Sequence, residues 1–186
     1  IHNVVRILKK AVAQWPEPVL GHYKRDPFTV LIACVLSLRT QDKTTAAASE
    51  RLFLLADNPA DMARLTPAAI QKAIYPVGFY KTKAANIKKI CDVLIHSHAG
   101  KVPADMDALL DLPGVGRKTA NLVITLGFNK PGICVDTHVH RIMNIWEYVN
   151  TDTPLKTEMA LRQILPEKFW LKVNSLLVAF GQSICK

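Results

Sequence analysis

From Pro27 the chain runs F-T-V-L-I-A-C-V-L-S-L, apolar on all sides. A segment without a polar face has to be surrounded, so the rest of the fold must be arranged around it. A strand is one possibility. Eleven residues opened by Asp26-Pro27, an acidic residue followed by a proline suited to a first helical turn, favour a central buried helix.

Elsewhere the periodicity is helical. Val4, Val5, Ile7, Leu8, Ala11 and Val12 give one apolar face before Trp15-Pro16-Glu17-Pro18 breaks it. A helix is expected from near Asp42 to near Leu55, and Thr66-Pro67 and Thr153-Pro154 each pair a capping hydroxyl with a first-turn proline. Between Lys81 and His98 the apolar positions Ala84, Ile87, Ile90, Cys91 and Leu94 mark a surface helix with a basic opposite face. No convincing period-two alternation occurs, so the expected fold is all-α with short connections. Residues 20–130 are expected to form one helical bundle. Residues 1–19 with 131–186 are expected to form a second helical lobe, with a binding groove between the two.

No run approaches 18 apolar residues, which argues against a membrane span. The opening Ile1-His2-Asn3 already reads as helix, as if the chain began inside an element, and it carries no secretory or targeting pattern. Lys and Arg number 24 against 15 Asp and Glu, a net charge of +9. That balance favours a polyanionic partner, because each phosphate contact releases condensed counterions; a basic surface with no partner is the plainer alternative. Cys34, Cys91 and Cys134 lie in apolar stretches and read as small core residues, a pattern suited to a reducing compartment.

The chemistry concentrates in two segments, L-P-G-V-G-R-K-T-A-N from Leu112 to Asn121 and V-D-T-H-V-H-R from Val135 to Arg141. Two glycines one residue apart make a tight hairpin between helices. The backbone amides around Gly114 and Gly116, with the positive end of the next helix, form a pocket for a phosphate oxygen. Lys118 stands in the first turn of that helix. It reads either as a phosphate-pairing cation or as a nucleophilic amine able to form a Schiff base with a sugar carbon. Asp136 reads either as the N-cap of the following helix or as a carboxylate that stabilises a developing oxocarbenium ion, and the two roles are compatible.

In this order and spacing the two segments resemble the endonuclease III family of helix-hairpin-helix DNA glycosylases. D-P-F-T-V-L-I-A-C-V-L-S at 26–37 and G-F-Y-K-T-K-A-A-N-I at 78–87 support the likeness, which covers nearly the whole chain. The resemblance implies two helical lobes flanking a DNA groove and a base-excision enzyme for damaged pyrimidines. Lys118 matches the family's Schiff-base lysine and Asp136 its catalytic aspartate. A lysine at 118 implies a bifunctional enzyme that cuts the N-glycosidic bond and then the strand by β-elimination. A monofunctional uracil or thymine mismatch glycosylase, and a non-catalytic helix-hairpin-helix DNA-binding module, are the competing readings.

The same resemblance implies that the lesion is flipped out of the duplex and that side chains from two loops fill the gap. The matching positions are Arg39, where glutamine is more usual, and Phe79. Gly114, Val115 and Gly116 would hold the DNA backbone through main-chain amides, with Arg117, Lys81 and Lys83 as candidate phosphate contacts. His138 and His140, two apart, lie on different helix faces and do not suggest zinc. F-G-Q-S-I-C-K at 180–186 matches the lead-in to the family's four-iron cluster, with Cys185 as first ligand. One cysteine cannot hold such a cluster, so none is complete in this chain; either the natural protein continues and carries a 4Fe-4S cluster, the favoured expectation, or this member lacks one. The implied partner is duplex DNA with damaged bases or abasic sites, bound by a monomer. The implied location is the bacterial cytoplasm at the nucleoid, or a nucleus or mitochondrion.

Overall fold

A computed structural model describes residues 1–12 and 26–185, all of whose regular elements are helices. By internal contacts the chain forms two compact units, Val19–Asn129 and Ile1–Pro18 together with Lys130–Lys186.

At the centre of the unit Val19–Asn129 lies helix α2, Pro27–Ser37. Asp26 caps it by accepting the Thr29 amide at 2.8 Å, and Pro27 fills the first turn, where no amide partner is required. Every residue from Val30 to Leu36 is buried, so the uniformly apolar run is a helix enclosed on all sides. Around it pack α3 (Asp42–Phe53), α6 (Tyr80–Ser97), α8 (Arg117–Leu122) and a π-helical turn at Val123–Gly127. A Cβ on Gly127 would come within 3.0 Å of the Pro27 Cα, so this turn runs hard against the start of α2.

Helices α4 (Pro59–Arg64) and α5 (Pro67–Ile74) lie against α6. Asn58 and Thr66 cap them by accepting the Asp61 and Ala69 amides. Their carboxyl ends are closed by cations from elsewhere. Lys88 donates to the carbonyls of Ala63 and Leu65 at the end of α4. Arg51 donates to Ala73 at 2.8 Å and Tyr75 at 2.6 Å at the end of α5. Each supplies donors to carbonyls the helix leaves unpaired and sits at the negative end of its dipole.

The second unit contains α1 (His2–Val12), α9 (Thr137–Ile145), α10 (Pro154–Ile164), a 3₁₀ turn at Glu167–Phe169 and α11 (Trp170–Ser183). Its core includes Val5, Leu8, Val139, Ile142, Leu161, Val173 and Leu177. The face expected on the first helix is narrower than the sequence suggested. Val5 and Leu8 are buried, whereas Val4 is 36% and Ile7 62% exposed. At 100° per residue Ile1, Val5, Leu8 and Val12 share one stripe, and Val4 and then Ile7 turn progressively away from it on the same side. The expected break at Trp15–Pro18 lies outside the described residues. Thr153 caps α10 through the Lys156 amide, as its Thr-Pro pair predicts. Gly181 on α11 faces α9 so closely that a Cβ there would stand in hard contact with the His138 ring, next to its Nδ1.

The three cysteines read as core residues, Cys34, Cys91 and Cys134, are buried, and none of the four cysteines is in a disulfide. No helix among the described residues is long and apolar enough to cross a membrane.

Candidate active site

Helix α7 (Met106–Leu110) is capped by Asp105, whose carboxylate accepts the Asp107 and Ala108 amides. The chain then turns, with the Val115 amide donating to the Leu112 carbonyl at 3.1 Å. Gly114 takes φ +77°, a conformation open to glycine, and a Cβ there would stand 2.6 Å from the Asn86 amide nitrogen. Val115 is buried beneath the turn. Gly116 is extended and starts α8, its carbonyl accepting the Ala120 amide at 2.9 Å. A Cβ on Gly116 would meet nothing within 4 Å. The protein itself therefore does not need a bare backbone there, and the outer face of the hairpin is open to something else.

Lys118, in the first turn of α8, is exposed. Its charge reaches Cys34 on α2: burial pushes the Cys34 thiol up to about 12, and the Lys118 ammonium acts in the opposite direction. The lysine thus combines an exposed position with electrostatic reach to the central helix. Arg117 beside it is half-buried.

Arg39 and Phe79 lie in two turns that the fold sets back to back. Arg39 follows α2 and Phe79 precedes α6; both have left-handed backbones, with φ of 52° and 57°. Both are exposed, Phe79 to 62%, and the Arg39 guanidinium lies 5.7 Å from the centre of the Phe79 ring. The pairing combines a large exposed aromatic with a cation over its face. A Cβ on Gly78 would stand 2.7 Å from the Arg39 carbonyl, so only a glycine lets the two turns approach this closely.

Lys81 is exposed, in keeping with its expected place on the surface. Lys83 is not a surface phosphate contact. It is 6% exposed, and its ammonium donates inward to Leu36 O at 2.8 Å, Leu38 O at 2.5 Å and Thr40 Oγ1 at 3.2 Å. Three donors meet three acceptors, which leaves none for DNA. Burial lowers its pKa to about 8. The signal was present in the sequence: Lys83, Ile87, Ile90 and Leu94 follow helical spacing, which puts the lysine on the apolar stripe. Thr40, whose hydroxyl also accepts the Gly78 amide at 3.2 Å, had no such signal.

In the other unit Asp136 caps α9 by accepting the Val139 amide at 2.9 Å, and it is half-buried. One carboxylate oxygen thus serves the helix. The His140 Nδ1 lies 2.7 Å from the Thr157 hydroxyl, in a polar cluster with Asn144 and Thr151. Among the described residues no group of three or more His, Cys, Asp or Glu could hold a metal ion. Cys185 is half-buried and its carbonyl accepts from Arg141, while the other three cysteines are buried. A four-iron cluster takes four thiolates, so the described residues do not by themselves fit one.

A glycine hairpin feeding a lysine-bearing helix, within an all-helical frame, defines a helix-hairpin-helix protein. Residues 32–167 match the HhH-GPD superfamily of base excision DNA repair proteins. The chain is 43% identical to an endonuclease III of Thermotoga maritima over 98% of its own length and 84% of that protein's. It superposes on a non-covalent endonuclease III–DNA complex with a TM-score of 0.89 at 34% identity, covering 100% of this chain and 86% of the other. A trapped endonuclease III–DNA covalent intermediate gives 0.87 at 35% identity, over 100% and 87%. The chain belongs to the endonuclease III family of HhH-GPD base excision repair proteins.

Proposed function

We propose that this protein excises damaged pyrimidines from duplex DNA and then cleaves the strand at the exposed sugar, with Lys118 as the nucleophile. The observation that carries the reading is the exposed first-turn Lys118 on the open face of the Gly114–Gly116 hairpin. A pure DNA-binding hairpin needs the glycines but not an amine at this point. The relative trapped as a covalent intermediate with DNA supports a bond-forming enzyme over both a binding module and a monofunctional glycosylase.

The hairpin amides of Gly114, Val115 and Gly116, with Arg117, hold the DNA backbone, and Lys81 adds an exposed charge for phosphate. Phe79 and Arg39 enter the base stack where the lesion has been turned out. The neutral Lys118 amine forms a bond to the sugar anomeric carbon. The glycosidic bond breaks, and its electron pair leaves with the base, which takes up a proton. The nitrogen gives up one proton, and its lone pair closes the C=N bond of a protonated imine as the ring C1′–O4′ bond breaks, its electron pair staying on O4′, which takes up a proton. Removal of a neighbouring C2′ proton then expels the 3′ phosphate by β-elimination. Asp136, by its match to the family aspartate, stabilises positive charge developing on the sugar.

On the same resemblance Cys185 is the first thiolate of a 4Fe-4S cluster whose other ligands would lie beyond this sequence, and no step above depends on it. The reaction requires a compartment that holds DNA.

Lys118→Gln tests the assignment. Borohydride reduction of the reacting wild-type protein is expected to give a stable protein–DNA adduct, and the variant none, while it keeps its circular dichroism spectrum. Undiminished trapping by the variant would remove Lys118 from the mechanism.

A further inference from the structure

Lys83 and Thr40 belong to no step of the reaction, yet they join the two turns that carry Arg39 and Phe79. We propose that Lys83 and Thr40 are positioning residues that lock these two turns into one rigid edge, so that Arg39 and Phe79 enter the base stack as a unit. The proposal rests on the reading that these two side chains enter the duplex.

Lys83 reaches both turns. Its backbone amide donates to the Phe79 carbonyl at 3.0 Å, one helical turn back. Its ammonium closes the carboxyl end of α2 at Leu36 and continues to Leu38, the residue before Arg39. The third ammonium proton goes to Thr40 Oγ1, on the other side of Arg39. That hydroxyl in turn accepts the Gly78 amide, the residue before Phe79, and lies 3.3 Å from the Leu38 carbonyl, to which it donates. One ammonium and one hydroxyl thus take up the polar groups flanking both inserting residues, with every donor of the pair used. Gly78 against the Arg39 carbonyl removes the remaining slack.

The restraint matters because both inserting residues have left-handed backbones, an uncommon state for side chains other than glycine that surrounding structure must enforce. Without the clamp each turn can relax separately. The Arg39–Phe79 pair then separates, and entry into the stack costs the ordering of two mobile loops.

The test uses a duplex with a tetrahydrofuran abasic analogue opposite 2-aminopurine, whose fluorescence rises when its stacking is disturbed. Lys83→Met, Thr40→Val and Thr40→Ser are compared with the parent at saturating protein, with anisotropy used to confirm binding. Lys83→Met and Thr40→Val are expected to bind the duplex yet show a reduced fluorescence rise. On a damaged pyrimidine their single-turnover excision should fall roughly tenfold or more, as small misplacements at reacting centres do. Thr40→Ser keeps the hydroxyl and should behave as the parent.

Full fluorescence and full excision in both Lys83→Met and Thr40→Val would overturn the proposal. So would a Thr40→Ser variant no better than Thr40→Val, or losses that track thermal stability alone. If Lys83→Met fails to fold, the Thr40 pair decides by itself. No fluorescence rise with the parent protein would instead refute the insertion role of Arg39 and Phe79, and this proposal with it.

Discussion

Gly181→Ala sets two effects of known size against each other. Gly181 lies within α11, and alanine in a helix interior is favoured over glycine by up to about 1 kcal/mol. A methyl at that position would overlap the His138 ring, standing 2.9 Å from its Cγ and 3.2 Å from its Cβ. Because Cβ is involved as well as the ring, rotating the imidazole does not clear the overlap, and α9 or α11 must shift. Inserting a methyl into packed structure in this way costs about 1–3 kcal/mol. The steric term should win, for a net loss of about 1–2 kcal/mol. Urea unfolding followed by circular dichroism should show the midpoint fall, and the melting temperature should drop by about 2–8 °C. The same substitution in a His138→Ala background should lose most of this penalty, giving a coupling of about 1 kcal/mol or more between the two sites. A Gly181→Ala protein more stable than its parent, with His138 intact, would refute the reasoning.

Two further outcomes follow from polar groups already described. Asp136→Asn keeps an oxygen for the Val139 amide, since asparagine caps as well as aspartate. Its stability should stay near that of the parent while turnover falls about a hundredfold or more. Asp136→Ala should lose turnover and about 1 kcal/mol of stability, and full activity in the asparagine variant would leave residue 136 a cap and nothing else. For Lys83, burial lowers the pKa from 10.5 to about 8, so between those values the unfolded chain holds a proton that the folded chain has released. The stability of the parent relative to Lys83→Met should therefore rise with pH across that window, by at most about 1.4 kcal/mol per unit, and stay flat below it. A difference that falls instead would show that the three acceptors hold the ammonium more tightly than burial disfavours it.

The elements readable from sequence were those whose local signals agreed. Asp26-Pro27 and an unbroken apolar run gave α2 its start and its burial, and the Thr-Pro pairs at 66 and 153 opened α5 and α10 at those residues. The hairpin was readable because two glycines at that spacing leave few alternatives. Lys83 was misread because a lysine is taken as solvated unless something inside can accept its protons. Those acceptors are the carbonyls at the end of α2, more than 40 positions away in sequence. The same distance hid the approach of Gly78 to Arg39, which depends on tertiary packing and leaves no periodic trace. Ile7 was assigned to a buried face because hydrophobicity alone does not say how wide a stripe the neighbouring helices cover.

Lys83, Lys88 and Arg51 each stop the carboxyl end of a helix, where the aligned peptide dipoles amount to roughly half a negative charge. Seen from outside, each cation is partly cancelled by the helix it closes, so the formal charge of +9 overstates the field available to a passing polyanion. Attraction to DNA therefore comes from the outward-facing bases such as Lys81, and fewer ions should be released on binding than a count of Lys and Arg implies. Part of what reads as a nucleic-acid signature in the composition is the means by which short helices are ended.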